Sequence, residues 1–123
     1  MEKICTEKAP AAVGPYTQAV AVNGLVCTSG QIALDPETGE LVGTTIEEQA
    51  EQVMRNLTAI LAAAGTGPEN AVKTLCFLTD MGDFAAFNAV YARYFTGKPA
   101  RSCVEVRALP KGAICEVEVI ATV

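Results

Sequence analysis

Histidine is absent from this chain. That removes the usual metal ligand and the usual proton carrier of neutral pH. The five cysteines, Cys5, Cys27, Cys76, Cys103 and Cys115, include no Cys-x-x-Cys pair, so a clustered thiolate metal or redox site is not expected. Charge is scarce as well. Only 19% of residues are charged, the net charge is −5, and no basic cluster occurs. This argues against an extended phosphate-neutralising surface, and so against a dedicated nucleic-acid binder. A small anionic substrate stays open, because one well-placed arginine is enough for it. No apolar run approaches membrane-spanning length, and Met1-Glu2-Lys3 is charged rather than leader-like. An odd number of cysteines without a signal peptide fits reduced thiols, so a cytoplasmic protein without a membrane partner is expected.

What is present is apolar. Half of the 123 residues are hydrophobic, enough for one domain, residues 1–123, with one real core. The apolar excess has to be buried somewhere, and an oligomer interface is one place.

A short strand is expected over Lys3–Thr6. Pro10, Gly14 and Pro15 make Ala9–Pro15 a loop, with Tyr16 where it enters the next strand. Thr17–Val22 and Leu25–Ser29 read as strands joined at Asn23-Gly24, the strongest short hairpin signal. Both runs are nearly continuous in apolar residues, which implies cover on both faces. Asp35–Glu40 is a turn. Thr45 and Glu48 form a capping box ahead of a helix that carries Ile46, Ala50, Val53, Leu57, Ile60, Leu61 and Ala64 at helical spacing and closes at Gly65. Asn70–Thr79 is a strand. A second helix over Asp83–Phe95 carries an aromatic stripe, Phe84, Phe87, Tyr91, Tyr94 and Phe95, that reads as core; Asn88 lies off it. After the short link Thr96-Gly97-Lys98 come strands over Arg101–Val106 and Ala113–Thr122, separated by the turn Leu109–Gly112. Two helices cover only one face of a six-stranded sheet, so the second face needs another subunit.

Arg101 begins a strand entered from Pro99, on one face with Cys103 and Glu105. Its planar fork suits a carboxylate gripped by two parallel hydrogen bonds; the alternative is a rim arginine paired with a nearby glutamate. Glu116 shares its strand face with Ile114, Glu118 and Ile120. A carboxylate in such company is costly unless it is paired or used. Burial would raise its pKa and a close Arg101 would lower it. Ser29-Gly30 is either a strand end or a hydroxyl with exposed amides facing a ligand. Cys103 as a covalent nucleophile has no histidine to activate it, and is set below a carboxylate as the working group.

Four stretches carry a family likeness: Ala9-Pro10-Ala11-Ala12-Val13-Gly14-Pro15-Tyr16, Thr28-Ser29-Gly30-Gln31, Asp35 to Gly43, and Pro99-Ala100-Arg101-Ser102-Cys103-Val104. In these, and along its whole length, the chain resembles the Rid (YjgF) family of reactive-intermediate deaminases. The resemblance implies an α+β, chorismate-mutase-like fold: a six-stranded mixed sheet with two helices on one face, assembled as a homotrimer with pockets at the subunit interfaces. It implies hydrolysis of enamines and imines such as 2-aminoacrylate, 2-iminopropionate and 2-iminobutyrate to 2-keto acids and ammonia, without a cofactor. By residue, it implies that Arg101 binds the substrate carboxylate, that Glu116 holds the attacking water, and that Tyr16, Ser29, Gly30, Asn88 and Cys103 line the pocket. The link at 96–98 is shorter than in archetypal members, which bears on substrate more than on reaction. The competing readings are a non-catalytic trimer that binds small carboxylates and a regulatory or chaperone-like protein. Some relatives have been assigned ribonuclease roles, which the acidic balance of this chain disfavours.

Overall fold

The computed structural model describes residues 1–123. Its strands are β1 (Glu2–Ile4), β2 (Ala19–Val22), β3 (Leu25–Thr28), β4 (Ala71–Leu78), β5 (Ala100–Glu105) and β6 (Cys115–Thr122). Helix α1 (Ile46–Ala63) falls between β3 and β4, and α2 (Phe84–Tyr94) between β4 and β5. The strands form one mixed sheet in the order β1-β2-β3-β6-β4-β5. Only β4 and β5 run parallel, and α2 is the crossover that parallel neighbours require.

Local chemistry places the ends of these elements. Asn23 and Gly24 both adopt positive φ, 51° and 78°, the geometry of a tight turn matched to strand twist, and Val22 faces Leu25 across it. Thr45 accepts a hydrogen bond from the Glu48 N–H while the Glu48 carboxylate accepts from the Thr45 N–H. At the other end of α1, Gly65 turns left-handed at φ 88°, and the Gly65 and Thr66 N–H groups donate to the carbonyls of Ala62 and Leu61. β2 begins at Ala19 rather than Thr17. Thr17 and Gln18 are engaged elsewhere: the Thr17 hydroxyl donates to the Ile4 carbonyl and the Gln18 side chain reaches back to Thr6 and Pro10.

Both helices lie on one face of the sheet. There Val26, Cys76, Leu78, Cys115, Val117 and Val119 pack with Val53, Met54, Leu57, Ile60, Phe87 and Val90 in one buried cluster. β6, the last strand in the chain, sits inside the sheet between β3 and β4 and alternates strictly: Cys115, Val117, Val119 and Ala121 are buried, while Glu116, Glu118 and Ile120 are half-buried on the opposite face. That opposite face also carries Val20, Val22, Leu25, Cys27, Leu75, Phe77 and Val104, alternating with the helix-side residues. Apart from Glu116, Glu118 and Lys73 it is largely apolar, and it is open, with Val104 45% exposed. Cys5 and Cys27 are exposed, Cys103 is half-buried, and Cys76 and Cys115 are buried. No helix is long and apolar enough to cross a membrane.

Candidate active site

The residues singled out above fall into two groups on the protomer. Tyr16, Ser29, Gly30 and Glu116 line one cavity of about 550 Å³. Asn88 and Arg101 line another of about 360 Å³. Arg101 and Cys103 point to the helix side of the sheet, where Thr74 and Cys76 are their register partners on β4. Glu116 stands opposite Phe77 on the other side. Within one chain Arg101 and Glu116 thus lie on opposite faces of the sheet and in different cavities.

In the first cavity, Gly30 follows the end of β3 and lies against the Glu116 carboxylate. A Cβ at Gly30 would fall 2.6 Å from Glu116 Oε2, so only glycine leaves the carboxylate its place. The Gln31 N–H donates to the Val117 carbonyl and the Val117 N–H returns to Gln31, which fixes this segment beside β6. From behind, the Asn56 amide on α1 donates to the carbonyls of Ile32 and Leu34. The Ser29 hydroxyl donates to the Thr17 carbonyl at 2.6 Å. Tyr16 is 52% exposed at the cavity wall. Burial pushes the Glu116 carboxyl above its ordinary pKa, and the nearby Glu118 adds to the shift. Glu118, Gln31, Pro110 and Lys111 line the same cavity.

In the second cavity, Arg101 is held without an acid. Its Nη1 donates to Asn88 Oδ1 at 2.7 Å, and its guanidinium carbon lies 4.7 Å from the ring centre of Tyr91 and 5.4 Å from that of Phe84. The Tyr91 hydroxyl is in turn 2.6 Å from the Thr74 hydroxyl, and Thr74 stands beside Arg101 across the β4–β5 ladder. The chain's ion pairs both go to Glu51, from Arg55 and Arg93. The rim-pair reading of Arg101 thus does not hold in the protomer, and its fork keeps donors for an incoming acceptor. Cys103 is half-buried; burial raises its pKa, and the neighbouring Arg101 only partly offsets this. It is a thiol, not an activated thiolate. No three histidine, cysteine or acidic side chains converge to hold a metal ion.

Tyr91 is in the core as the aromatic stripe implies, with Phe84 packed against it, and both rings also flank Arg101, a contact the stripe alone does not imply. Their signal was available: they lie four residues before and three residues after Asn88, on the same helix face. Lys98, which lines the Arg101 cavity, carried no such signal.

A family model described as endoribonuclease L-PSP matches residues 6–123. The 2-iminobutanoate/2-iminopropanoate deaminase of Mus musculus is 50% identical over 119 residues, which span 96% of this chain and 88% of the mouse protein. The crystal structure of RidA from the Antarctic bacterium Psychrobacter sp. superimposes with a TM-score of 0.95 at 47% identity, covering 100% of both chains. That of TdcF from E. coli, with bound serine, gives 0.94 at 41% identity, covering 100% of this chain and 99% of that one.

Proposed function

The chain belongs to the endoribonuclease L-PSP family, the Rid proteins, and from that membership we propose that it hydrolyses 2-imino acids, and the enamines that tautomerise to them, to 2-keto acids and ammonia. One observation carries this reading. Arg101 is fixed from the side by Asn88 and two rings yet is paired with no carboxylate, so its fork is built for an acid that arrives from outside. The serine named in the E. coli relative is a ligand with such a group.

The opposite facing of Arg101 and Glu116 asks for a second copy of the chain. In a homotrimer, the Arg101 side of one protomer meets the Glu116 side of the next at each interface, and the apolar open face supplies surface to bury. Within such a pocket Arg101 holds the substrate carboxylate and thereby positions C2. Glu116, ionised, takes a proton from water as the water oxygen bonds to C2. That proton passes to the nitrogen, giving a carbinolamine; Glu116 then takes the proton of the new hydroxyl and hands it to the nitrogen as C2=O forms and the C2–N bond breaks, so that ammonia leaves and the 2-keto acid remains. Holding water and imine in register accounts for much of the acceleration. The reaction in this form uses only water and protein side chains.

The test couples a dehydratase acting on serine or threonine, which releases the enamine, to measurement of keto-acid formation. Added protein should raise the rate above spontaneous hydrolysis. A product-like 2-keto acid that binds while the rate stays at the spontaneous value would favour a carboxylate-binding role instead.

A further inference from the structure

The Arg101 cavity has a second cation in its wall. Lys98 lines it, and no acidic residue of the same chain does. Neither Lys98 nor Arg101 takes part in an ion pair. The backbone that carries Lys98 is tightly placed. Gly97 sits so close to the Glu69 carbonyl that a Cβ would lie 2.8 Å from its oxygen. The Lys98 N–H donates to the carbonyl of buried Phe95 at 3.2 Å, and Pro99 follows at once. Lys98 itself has φ 51°, a left-handed conformation in which glycine or asparagine meets less resistance. Its Cα lies at most about 11 Å from that of Arg101, three residues on, and both side chains have long flexible stems.

We infer that Lys98 is a specificity-determining residue and that the site takes 2-imino acids bearing a second carboxylate at the end of a short side chain. Arg101 binds the carboxylate next to the reacting carbon, and the Lys98 ammonium meets the distal one. The inference rests on the hydrolase reading above and deepens it by naming the substrate class. A monocarboxylate leaves Lys98 without a partner, whereas a four-carbon dicarboxylate answers both cations on the Arg101 side of the pocket, to which the same chain contributes no acid; the Glu116 that faces it across the interface stands at the reacting carbon.

The experiment measures kcat/KM on two imines made in situ by amino-acid oxidases, one from aspartate and one from alanine, with the intact protein. The wild-type ratio, aspartate imine over alanine imine, is expected to exceed one and to fall with added salt. Lys98→Ala should lower the ratio by about two- to fivefold, the worth of a charge pair open to solvent, Lys98→Glu should lower it further, and Lys98→Arg should keep it. Should the alanine variant not fold, Lys98→Asn suits the left-handed backbone and repeats the measurement. A ratio unmoved by removal or reversal of the charge, with the alanine imine still hydrolysed, overturns the role of Lys98 and leaves the hydrolase reading intact. If neither imine is hydrolysed, both fall.

Discussion

Arg101 owes its readiness to three neighbours that each remove a different freedom. Asn88 fixes one nitrogen, and Tyr91 and Phe84 give the guanidinium plane a surface to lie over. A lysine in its place keeps the charge but loses the planar fork, so Arg101→Lys should lower kcat/KM roughly ten- to a hundredfold, the worth of a charge-assisted hydrogen bond, with the fold unchanged by circular dichroism. Cys103→Ser should retain substantial turnover, because a thiol raised by burial is a wall and not a nucleophile; a trapped covalent adduct in the parent protein would overturn that. Glu116 has the opposite character: burial and then the neighbouring Glu118 raise its pKa, which makes its carboxylate a stronger base than an exposed one. When substrate occupies Arg101, that positive charge is already answered, so the acidic limb of kcat should lie above the ordinary 4.5. Glu116→Gln should lower kcat by about 10²–10⁴-fold while a 2-keto acid still binds in calorimetry. The same shift has a sign for stability. Ionising Glu116 costs more in the folded than in the unfolded chain. Its contribution is fully present below 4.5 and is lost as pH rises through the raised value. Urea midpoints should therefore decline over that window in the parent and less in Glu116→Gln.

Loops, rather than strands, bear most of the first cavity, and buried amides hold them. Gln18 accepts from the Thr6 N–H at 2.7 Å and donates to the carbonyls of Thr6 and Pro10 at 3.0 and 2.8 Å, which ties down both ends of the segment leading to Tyr16. Gln49 on α1 does the same at a second corner, donating to Gly43 and accepting from the Ile114 N–H next to β6. Leucine at position 18 would fill the space but leave Thr6 and Pro10 groups unpaired, at about 1–3 kcal/mol for each that stays buried. Gln18→Leu should thus lower the urea midpoint and open the 9–16 segment to limited proteolysis. A variant as stable and as protected as the parent would show that water replaces the amide.

In the proposed trimer, the cavity of Arg101 and that of Glu116 meet as one site between protomers. Arg101→Ala and Glu116→Gln should each be inactive alone. Unfolded together and refolded as a mixture, they should regain activity at about one site in four, because an interface with the arginine of one variant and the glutamate of the other has both groups intact. Recovery of nothing from well-formed mixed trimers would place both groups in a single chain's site and contradict the opposed facing. Sedimentation of the parent as a stable monomer at micromolar concentration would remove the composite pocket altogether.

The features legible in the sequence are those set by neighbours in the chain. Asn23-Gly24 turns because both residues tolerate positive φ; Thr45 and Glu48 cap because a helix start leaves N–H groups within reach; β6 alternates because a pleated strand must. The order of elements follows from the same local rules, whereas the proposed site residues Tyr16, Ser29, Gly30, Asn88, Arg101, Cys103 and Glu116 rest on the family likeness. The side of the sheet that each candidate faces follows from neither. Periodicity separates the two faces of a strand but does not say which one meets the helices, and a one-residue change of register would exchange them. That choice is made by the pairing of β5 on β4 and β4 on β6, contacts between residues far apart in the chain. It sets Arg101 against Tyr91 and Glu116 against Gly30, and it places the two proposed working groups on opposite faces of one sheet, in separate cavities of the chain.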